Sequence, residues 1–91
     1  MSDDLLKNKV QLGLYLIKQE SNTGYDAYDS AVVVAANAEK ACLIHPEGKD
    51  RPFKEWFGDW CDPKDVTATF IGVAAFSLEE GQVVCASFNA G

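Results

Sequence analysis

The sequence predicts an α+β domain in which one mostly antiparallel four-stranded sheet carries a short helix on one face. Three observations favour this fold class: four β-rich stretches, one capped helical stretch between the second and the third, and turn-forming residues between them. A length of 91 residues suits a single domain covering 1–91. Hydrophobic residues make up 47% of the chain, which is enough for a packed core.

The first strand is predicted at 10–17, after a lead-in at 1–8 that we expect to fray or to form one helical turn. Side chains alternate between the two faces of a strand. The face expected to meet the core consists of Val10, Leu12, Leu14 and Leu16. Tyr15 and Ile17 belong to the opposite, mixed face, which we expect to be partly covered.

The second strand is predicted at 31–36, where β-branched valines favour a buried strand. The stretch 20–30 before it is rich in turn-forming residues and is predicted to be a loop. A helix follows at 37–45, because Asn37 is a good N-cap and Pro46 ends the helical stretch. We expect this helix to pack on one face of the sheet.

An aromatic helical turn is predicted at 52–60, because four aromatic residues recur there at spacings of three and four and share one helical face. These residues are Phe53, Trp56, Phe57 and Trp60. Pro52 suits the first helical position, whereas Gly58 weakens the segment and favours a loose or 3₁₀ turn as the alternative.

The last two strands are predicted at 66–76 and 83–88. We expect them to pair antiparallel with each other, since a short connection with Gly81 as turning residue joins them. Gly72 inside the third strand predicts a bulge or a bend.

The charge balance narrows the classes of partner. The chain has 14 acidic and 8 basic residues, a formal net charge of −6. Direct binding to nucleic acid requires a basic surface, so we expect none. An acidic surface could instead face a basic groove on a partner, or it could simply keep the protein soluble.

The cellular location is predicted from the cysteines and from hydropathy. Three cysteines without a CxxC spacing predict free thiols in a reducing compartment. The acidic first residues lack the pattern of a signal peptide, and no apolar run approaches the roughly 20 residues that span a bilayer. We therefore expect a cytoplasmic protein without membrane contact.

The sequence contains few residues that are candidates for a catalytic site. His45 is the only histidine, so the sequence contains few of the residues that a hydrolytic triad or a zinc site requires. Either His45 ends the helix, where a cation is favoured, or it pairs with Cys42 or with an acid that is near in space. No phosphate-loop, dinucleotide-binding or nucleophile-elbow motif occurs. We expect no enzymatic activity, no catalytic residue, no cofactor and no metal.

Two segments contain the candidate partner-binding residues. These residues are Tyr25, Asp26, Tyr28, Asp29, Trp56 and Trp60. The first four belong to a loop whose composition is typical of adaptable recognition loops. The two tryptophans are included because a domain this small would struggle to bury four large aromatic side chains on one sheet. The alternatives are that the loop residues only cap turns and cover the sheet edge, and that the tryptophans form the core or a contact between two copies.

Segments from most of the chain are also similar to known proteins. The segments concerned are LYLIKQ, GYDAYDSAVVVAA, AEKACLIHP, DPKDVTATFIG and VVCASFNAG. Together they resemble small uncharacterised proteins encoded by phages and prophages, over roughly 12–91, with a departure at 49–60 where the aromatic segment is longer. The resemblance implies a protein that acts inside a bacterial host cell and no catalytic residue. Small acidic proteins in that setting are often inhibitors of host machinery, including anti-CRISPR proteins.

The leading hypothesis is therefore a non-enzymatic, phage-type accessory protein that binds a host protein, with an inhibitor of host defence such as an anti-CRISPR protein as the specific case. One alternative is a structural homo-oligomer, a homodimer being the simplest, held together by the aromatic turn. Another is a small-molecule-binding domain with a concave pocket near Tyr25, Asp26 and His45.

Overall fold

The computed structural model describes residues 11–24 and 26–89, with the side chain of Phe57 excepted. Its four strands are β1 (Gly13–Lys18), β2 (Ala27–Ala35), β3 (Thr67–Val73) and β4 (Val83–Asn89). Between β2 and β3 lie the helix Ala38–Ala41, a 3₁₀ turn Phe53–Glu55, the helix Trp56–Asp59 and a second 3₁₀ turn Pro63–Asp65. The α+β class with one four-stranded antiparallel sheet is confirmed.

The order of strands in the sheet is β3-β1-β2-β4, and each neighbouring pair is antiparallel. The predicted pairing of the last two strands with each other is therefore wrong, because β3 pairs with β1 and β4 pairs with β2. The residues 74–82 connect opposite edges of the sheet across its two central strands, a span of about 14 Å that nine extended residues cover easily.

The face of β1 that meets the core is the opposite of the predicted one. Ile17 is fully buried and Tyr15 packs against the core, whereas Leu14 and Leu16 lie on the other face and are half-buried. Both faces of this central strand are apolar, so alternation could not decide between them, and a shift of one position reverses the choice. Val10 lies outside the described residues.

Two boundaries also differ from the predicted ones. β2 begins at Ala27, because 27–30 pair with β4 although their composition is that of a turn. The predicted helix 37–45 is only one turn long, Ala38–Ala41. After it the backbone tightens, because the Leu43 N–H donates to Lys40 O and the Ile44 N–H to Ala41 O, three residues back. Asn37 is confirmed as the N-cap of this helix, since Asn37 Oδ1 accepts a hydrogen bond from the Lys40 N–H at 2.8 Å.

The core lies between one face of the sheet and the segment 38–66. Its buried side chains are Ile17, Ala31, Val33, Ala35, Ala41, Ile44, Trp56, Trp60, Cys61 and Val66. The aromatic turn is confirmed as a 3₁₀ turn that continues into a single helical turn. The irregularity predicted near Gly72 is also present: Phe70 lies opposite Tyr15 and Gly72 opposite Leu14, which leaves Ile71 as the extra residue of a bulge.

Candidate protein-binding surfaces

His45 is the centre of a buried polar cluster rather than the exposed end of a helix. Its ring has no exposed surface, and its Nε2 lies 2.8 Å from Asp59 Oδ1. Its Nδ1 accepts a hydrogen bond from the Glu47 N–H at 2.9 Å. Because Nδ1 accepts, the ring proton of the neutral imidazole is on Nε2, which donates to the Asp59 carboxylate. Of the alternatives left open by the sequence, pairing with an acid is the one observed.

Arg51 connects this pair to the surface. Its guanidinium bonds to Asp59 Oδ2 at 3.3 Å and to Glu55 Oε1 at 3.1 Å, and it also contacts Glu47. The Arg51 carbonyl accepts a hydrogen bond from Trp56 Nε1 at 3.0 Å. One cation thus holds three carboxylates, and the network fixes the turn 45–51 against the aromatic segment.

The chemistry available to His45 is limited by these contacts. Burial lowers the pKa of His45 below its ordinary value, although the hydrogen bond to Asp59 opposes this effect. Both ring nitrogens are already engaged, and the ring cannot be reached from solvent. A general base needs a nitrogen within hydrogen-bond reach of a substrate proton, and in this structure His45 offers none. The arrangement is suited to holding the fold together.

The predicted loop residues divide between strand and surface. Asp26 is exposed in a left-handed backbone conformation with φ 63°, and Asp29 is exposed where the β2–β4 register shifts. Tyr28 is half-buried: its hydroxyl donates to Glu47 Oε2 at 2.9 Å, and its ring meets Phe88 edge-on at 4.7 Å. Burial, followed by the bond to Glu47, raises the pKa of Tyr28. Tyr25 lies outside the described residues.

Trp56 and Trp60 lie in the core, which corrects their assignment as partner-binding residues. Their side chains are 1% and 0% exposed, so neither indole has surface available for a partner. They pack edge-on to His45 with centroid distances of 5.5 and 6.4 Å. The sheet face is large enough to hold both indoles because the other residues it presents there are mostly alanine and valine. Phe53, by contrast, is exposed.

Four of the exposed large apolar side chains among the described residues lie on β3 and just after it. We call this surface the β3 patch; its members and exposed fractions are Phe70 57%, Ile71 52%, Val73 64% and Phe76 62%. Tyr15 of the neighbouring strand supports it, since its ring meets that of Phe70 edge-on at 5.6 Å. Four exposed large apolar side chains lie within seven residues, and such a concentration of exposed apolar residues is typical of an interaction site.

The β4 strand forms the other edge of the sheet. Its seven residues include no charged residue and no proline, and nearly all are exposed. Val84 and Phe88 are the large apolar side chains among them. The exposed thiol of Cys85 also lies here. Cys61 is buried, and burial raises its pKa to about 11.

Neither edge surface was among the predicted sites. The sequence predicts a strand at 66–76, and this stretch contains no charged residue. A central strand and an exposed edge strand share that composition, so it does not reveal an exposed surface. The pairing of His45 with Asp59 was open in the sequence, but nothing in it singled out this acid, 14 positions away.

Three further properties of the described residues bear on function. They contain no group of three or more His, Cys, Asp or Glu side chains placed to hold a metal ion. None of their helices combines the length and the apolar character needed to cross a bilayer. A polar depression beside the loop is lined by Glu20, Asp29 and Asn89 among others, but the buried His45 does not reach it.

Comparison of the chain with protein-family models, with curated proteins and with solved structures finds no match.

Proposed function

We propose that this chain is a non-enzymatic binding protein whose partner is another protein, contacted through the β3 patch. The observation that carries the proposal is the exposure of Phe70, Ile71, Val73 and Phe76, each by more than half, on a domain that buries both of its tryptophans. Because each of these side chains is a little more than half exposed, each forgoes about 1 kcal/mol relative to full burial, and a protein partner would recover part of it.

The shape of this edge favours contact through side chains. The bulge at Ile71 interrupts the regular ladder in the middle of β3, so an incoming strand would find only short stretches of aligned backbone. Aromatic and aliphatic side chains that fill pockets on a partner are the usual sources of binding energy in such an interface. Phe70 is the best anchor, because Tyr15 already limits the positions of its ring.

The predicted loop would supply a second, charged contact. Asp26 and Asp29 are exposed, and Tyr28 lies between them with its hydroxyl held by Glu47. A partner with a basic surface near its apolar pocket would be steered by the net charge of −6, and its association rate would fall as salt rises.

The resemblance to phage and prophage proteins supports a biological setting for this activity. In that setting the chain is an accessory protein in the bacterial cytoplasm, the partner is a host protein, and a component of host defence is the target class, as for anti-CRISPR proteins. Because both tryptophans are buried, the proposed contact lies on the β3 patch and not on Trp56 and Trp60.

The test is affinity capture from bacterial lysate with tagged protein, followed by mass spectrometry and by binding measurements with the purified partner. The informative variant is Phe70→Ser with Val73→Ser. Leu43→Ser with Phe53→Ser is the matched control, because it also removes two exposed apolar side chains, but from outside the β3 patch. We expect the first variant to weaken binding at least tenfold and the control to leave it within about twofold.

The loop contact is measured in the same assay with Asp26→Asn and Asp29→Asn, which remove charge and keep size. We expect a smaller loss, mainly in association rate, that disappears at high salt. A stoichiometric partner that binds the Phe70→Ser, Val73→Ser variant as tightly as the unchanged protein would overturn the proposed surface.

A further inference from the structure

Among the described residues, the outer backbone edge of β4 has no pairing strand. By backbone proximity, β4 lies against β2 alone among the described elements, whereas β3 is also touched by the helix Ala38–Ala41. Soluble proteins usually protect an edge with lysine, proline or a covering element. The strand Val83–Asn89 has no lysine and no proline, and no described helix covers it.

The register shows which groups of β4 point outward. The Val34 N–H donates to Gln82 O, so Val34 turns its backbone groups toward β4. Because backbone direction alternates, Val32 and Ser30 do the same, and they lie opposite Cys85 and Ser87. The N–H and C=O groups of the intervening Ala86, and of Phe88, therefore point away from the sheet.

We propose that β4 pairs antiparallel with the β4 strand of a second copy of this chain, forming a continuous eight-stranded sheet across a two-fold axis. Ala86 is the midpoint of the strand Val83–Asn89, and Val84 is the extra residue of a bulge in its pairing with β2. A pairing centred on Ala86 therefore joins the regular residues Cys85, Ala86 and Ser87 of the two copies. Ala86 would exchange both of its outward hydrogen bonds with its own counterpart. In this register the bulged Val84 lies level with Phe88 of the other copy, and the reciprocal relation follows by symmetry.

Charge favours a second copy as the occupant. The chain carries a net charge of −6, so most contacts between two copies would bring acidic residues together. The stretch 81–91 contains no charged residue, and pairing this stretch with itself avoids that repulsion. From Cys85 to Asn89 the strand has no extra residue in its pairing with β2, so its edge is regular where the two copies would meet.

The interface differs from the β3 patch in kind and in place. β3 is interrupted by the bulge at Ile71 and presents side chains, whereas β4 is regular over its last five residues and presents backbone. The two surfaces lie on opposite edges of the sheet. Self-association and binding of a different protein can therefore occur together, and each can fail without the other.

The first test is sedimentation velocity of the purified chain over a range of concentrations. We expect a monomer–dimer equilibrium that Ala86→Pro abolishes, since proline removes an outward donor and no bond to β2. The Phe70→Ser, Val73→Ser variant is the matched control and should dimerise normally. Circular dichroism and urea unfolding show whether the Ala86→Pro protein is folded.

Disulfide trapping gives a second test that does not depend on the proline variant. In a Cys85→Ser background, Ala86→Cys places one thiol on the proposed axis, about 5.5 Å Cα to Cα from its counterpart and within the range for a disulfide. Ser87→Cys places the thiols about 8 Å apart, too far to bridge without backbone movement. Mild oxidation should therefore yield covalent dimer from Ala86→Cys and at least tenfold less from Ser87→Cys.

Three results would overturn the proposal. One is a chain that stays monomeric at every concentration and gives no cross-link at position 86. Another is a dimer that persists in folded Ala86→Pro protein. The third is the loss of the dimer in the Phe70→Ser, Val73→Ser variant. This result would place self-association on the β3 patch, and that patch could then no longer be assigned to a different protein.

Discussion

The two tryptophans of the aromatic turn and the phenylalanines of the two edge strands differ in their exposure to solvent. Trp56 and Trp60 of the aromatic turn are buried against the sheet and surround His45. Phe70 on β3 and Phe88 on β4 are about half exposed. Neither the size nor the hydrophobicity of the side chains explains this difference in exposure. The tryptophans are larger than the phenylalanines and yet are the buried residues, and both residue types are predominantly apolar.

The position of the element in the fold explains the difference. A helical turn packed on a sheet directs residues four positions apart, here Trp56 and Trp60, to the same side. An edge strand has the covered face of the sheet on one side and solvent along its free edge, so its large side chains find fewer neighbours. In this protein the two buried tryptophans and the exposed phenylalanines Phe70 and Phe88 therefore lie in different elements.

Alanine substitutions test this contrast with the largest expected effect. Trp60→Ala removes a fully buried indole, and we expect it to cost about 3–5 kcal/mol in the free energy of unfolding, which is close to the total stability of a small domain. Phe70→Ala removes a half-exposed ring and should cost about 1 kcal/mol. Urea unfolding followed by circular dichroism measures both. Equal losses for the two variants would contradict the assignment of core and surface.

A comparison between the two tryptophans sharpens the description of the core. Trp56 Nε1 donates to the Arg51 carbonyl, whereas the buried Trp60 Nε1 has no hydrogen-bond partner among the described residues. Trp56→Phe loses a hydrogen bond and leaves a carbonyl unpaired, but Trp60→Phe removes a donor that was unsatisfied. We expect Trp56→Phe to be the more destabilising by about 1 kcal/mol in urea unfolding. The reverse order would mean that the Trp60 N–H has a partner.

The pH dependence tests the buried state of His45 and has the smallest expected effect. Burial lowers the pKa of His45 in the folded protein, whereas the unfolded chain protonates near pH 6.5. As the pH falls through 6.5, the unfolded state therefore takes up the proton first. The free energy of unfolding should decrease until the pH passes below the lowered folded-state pKa, and then this contribution levels off.

His45 can be followed directly because it is the only histidine in the chain. Proton NMR of its ring as a function of pH gives the folded-state pKa, and urea midpoints over the same range give the stability. A ring that titrates above pH 6.5 would show that the attraction of Asp59 outweighs burial. The low-pH loss of stability would then have to come from the carboxylates.

The sequence was sufficient for features that depend on local chemistry. The cap at Asn37, the four strands and the aromatic turn each follow from a few neighbouring residues, and each is present in the structure. The irregularity at Gly72 was predictable for the same reason. Local preferences act over a few residues and do not need a partner elsewhere in the chain.

Features that depend on distant contacts could not be predicted. The core-facing side of β1 depends on which of two apolar faces the segment 38–66 covers. The partners of β3 and β4 depend on a choice between two open edges of a central pair. The bond between His45 and Asp59 joins residues that are brought together only when the turn 45–51 closes. In each case two solutions have similar local preferences, and the packing of the whole domain decides between them.

Hydroxyl-radical footprinting read by mass spectrometry tests the central contrast in one sample. The oxidation rate of each aromatic side chain is divided by its own rate in the unfolded protein, which removes differences in intrinsic reactivity. At a protein concentration low enough to avoid association, we expect Trp56 and Trp60 to be strongly protected while Phe70 and Phe88 react at a large fraction of their unfolded rates. Tryptophans as reactive as in the unfolded chain, or phenylalanines as protected as the tryptophans, would contradict the division between a stabilising aromatic turn and exposed edge strands.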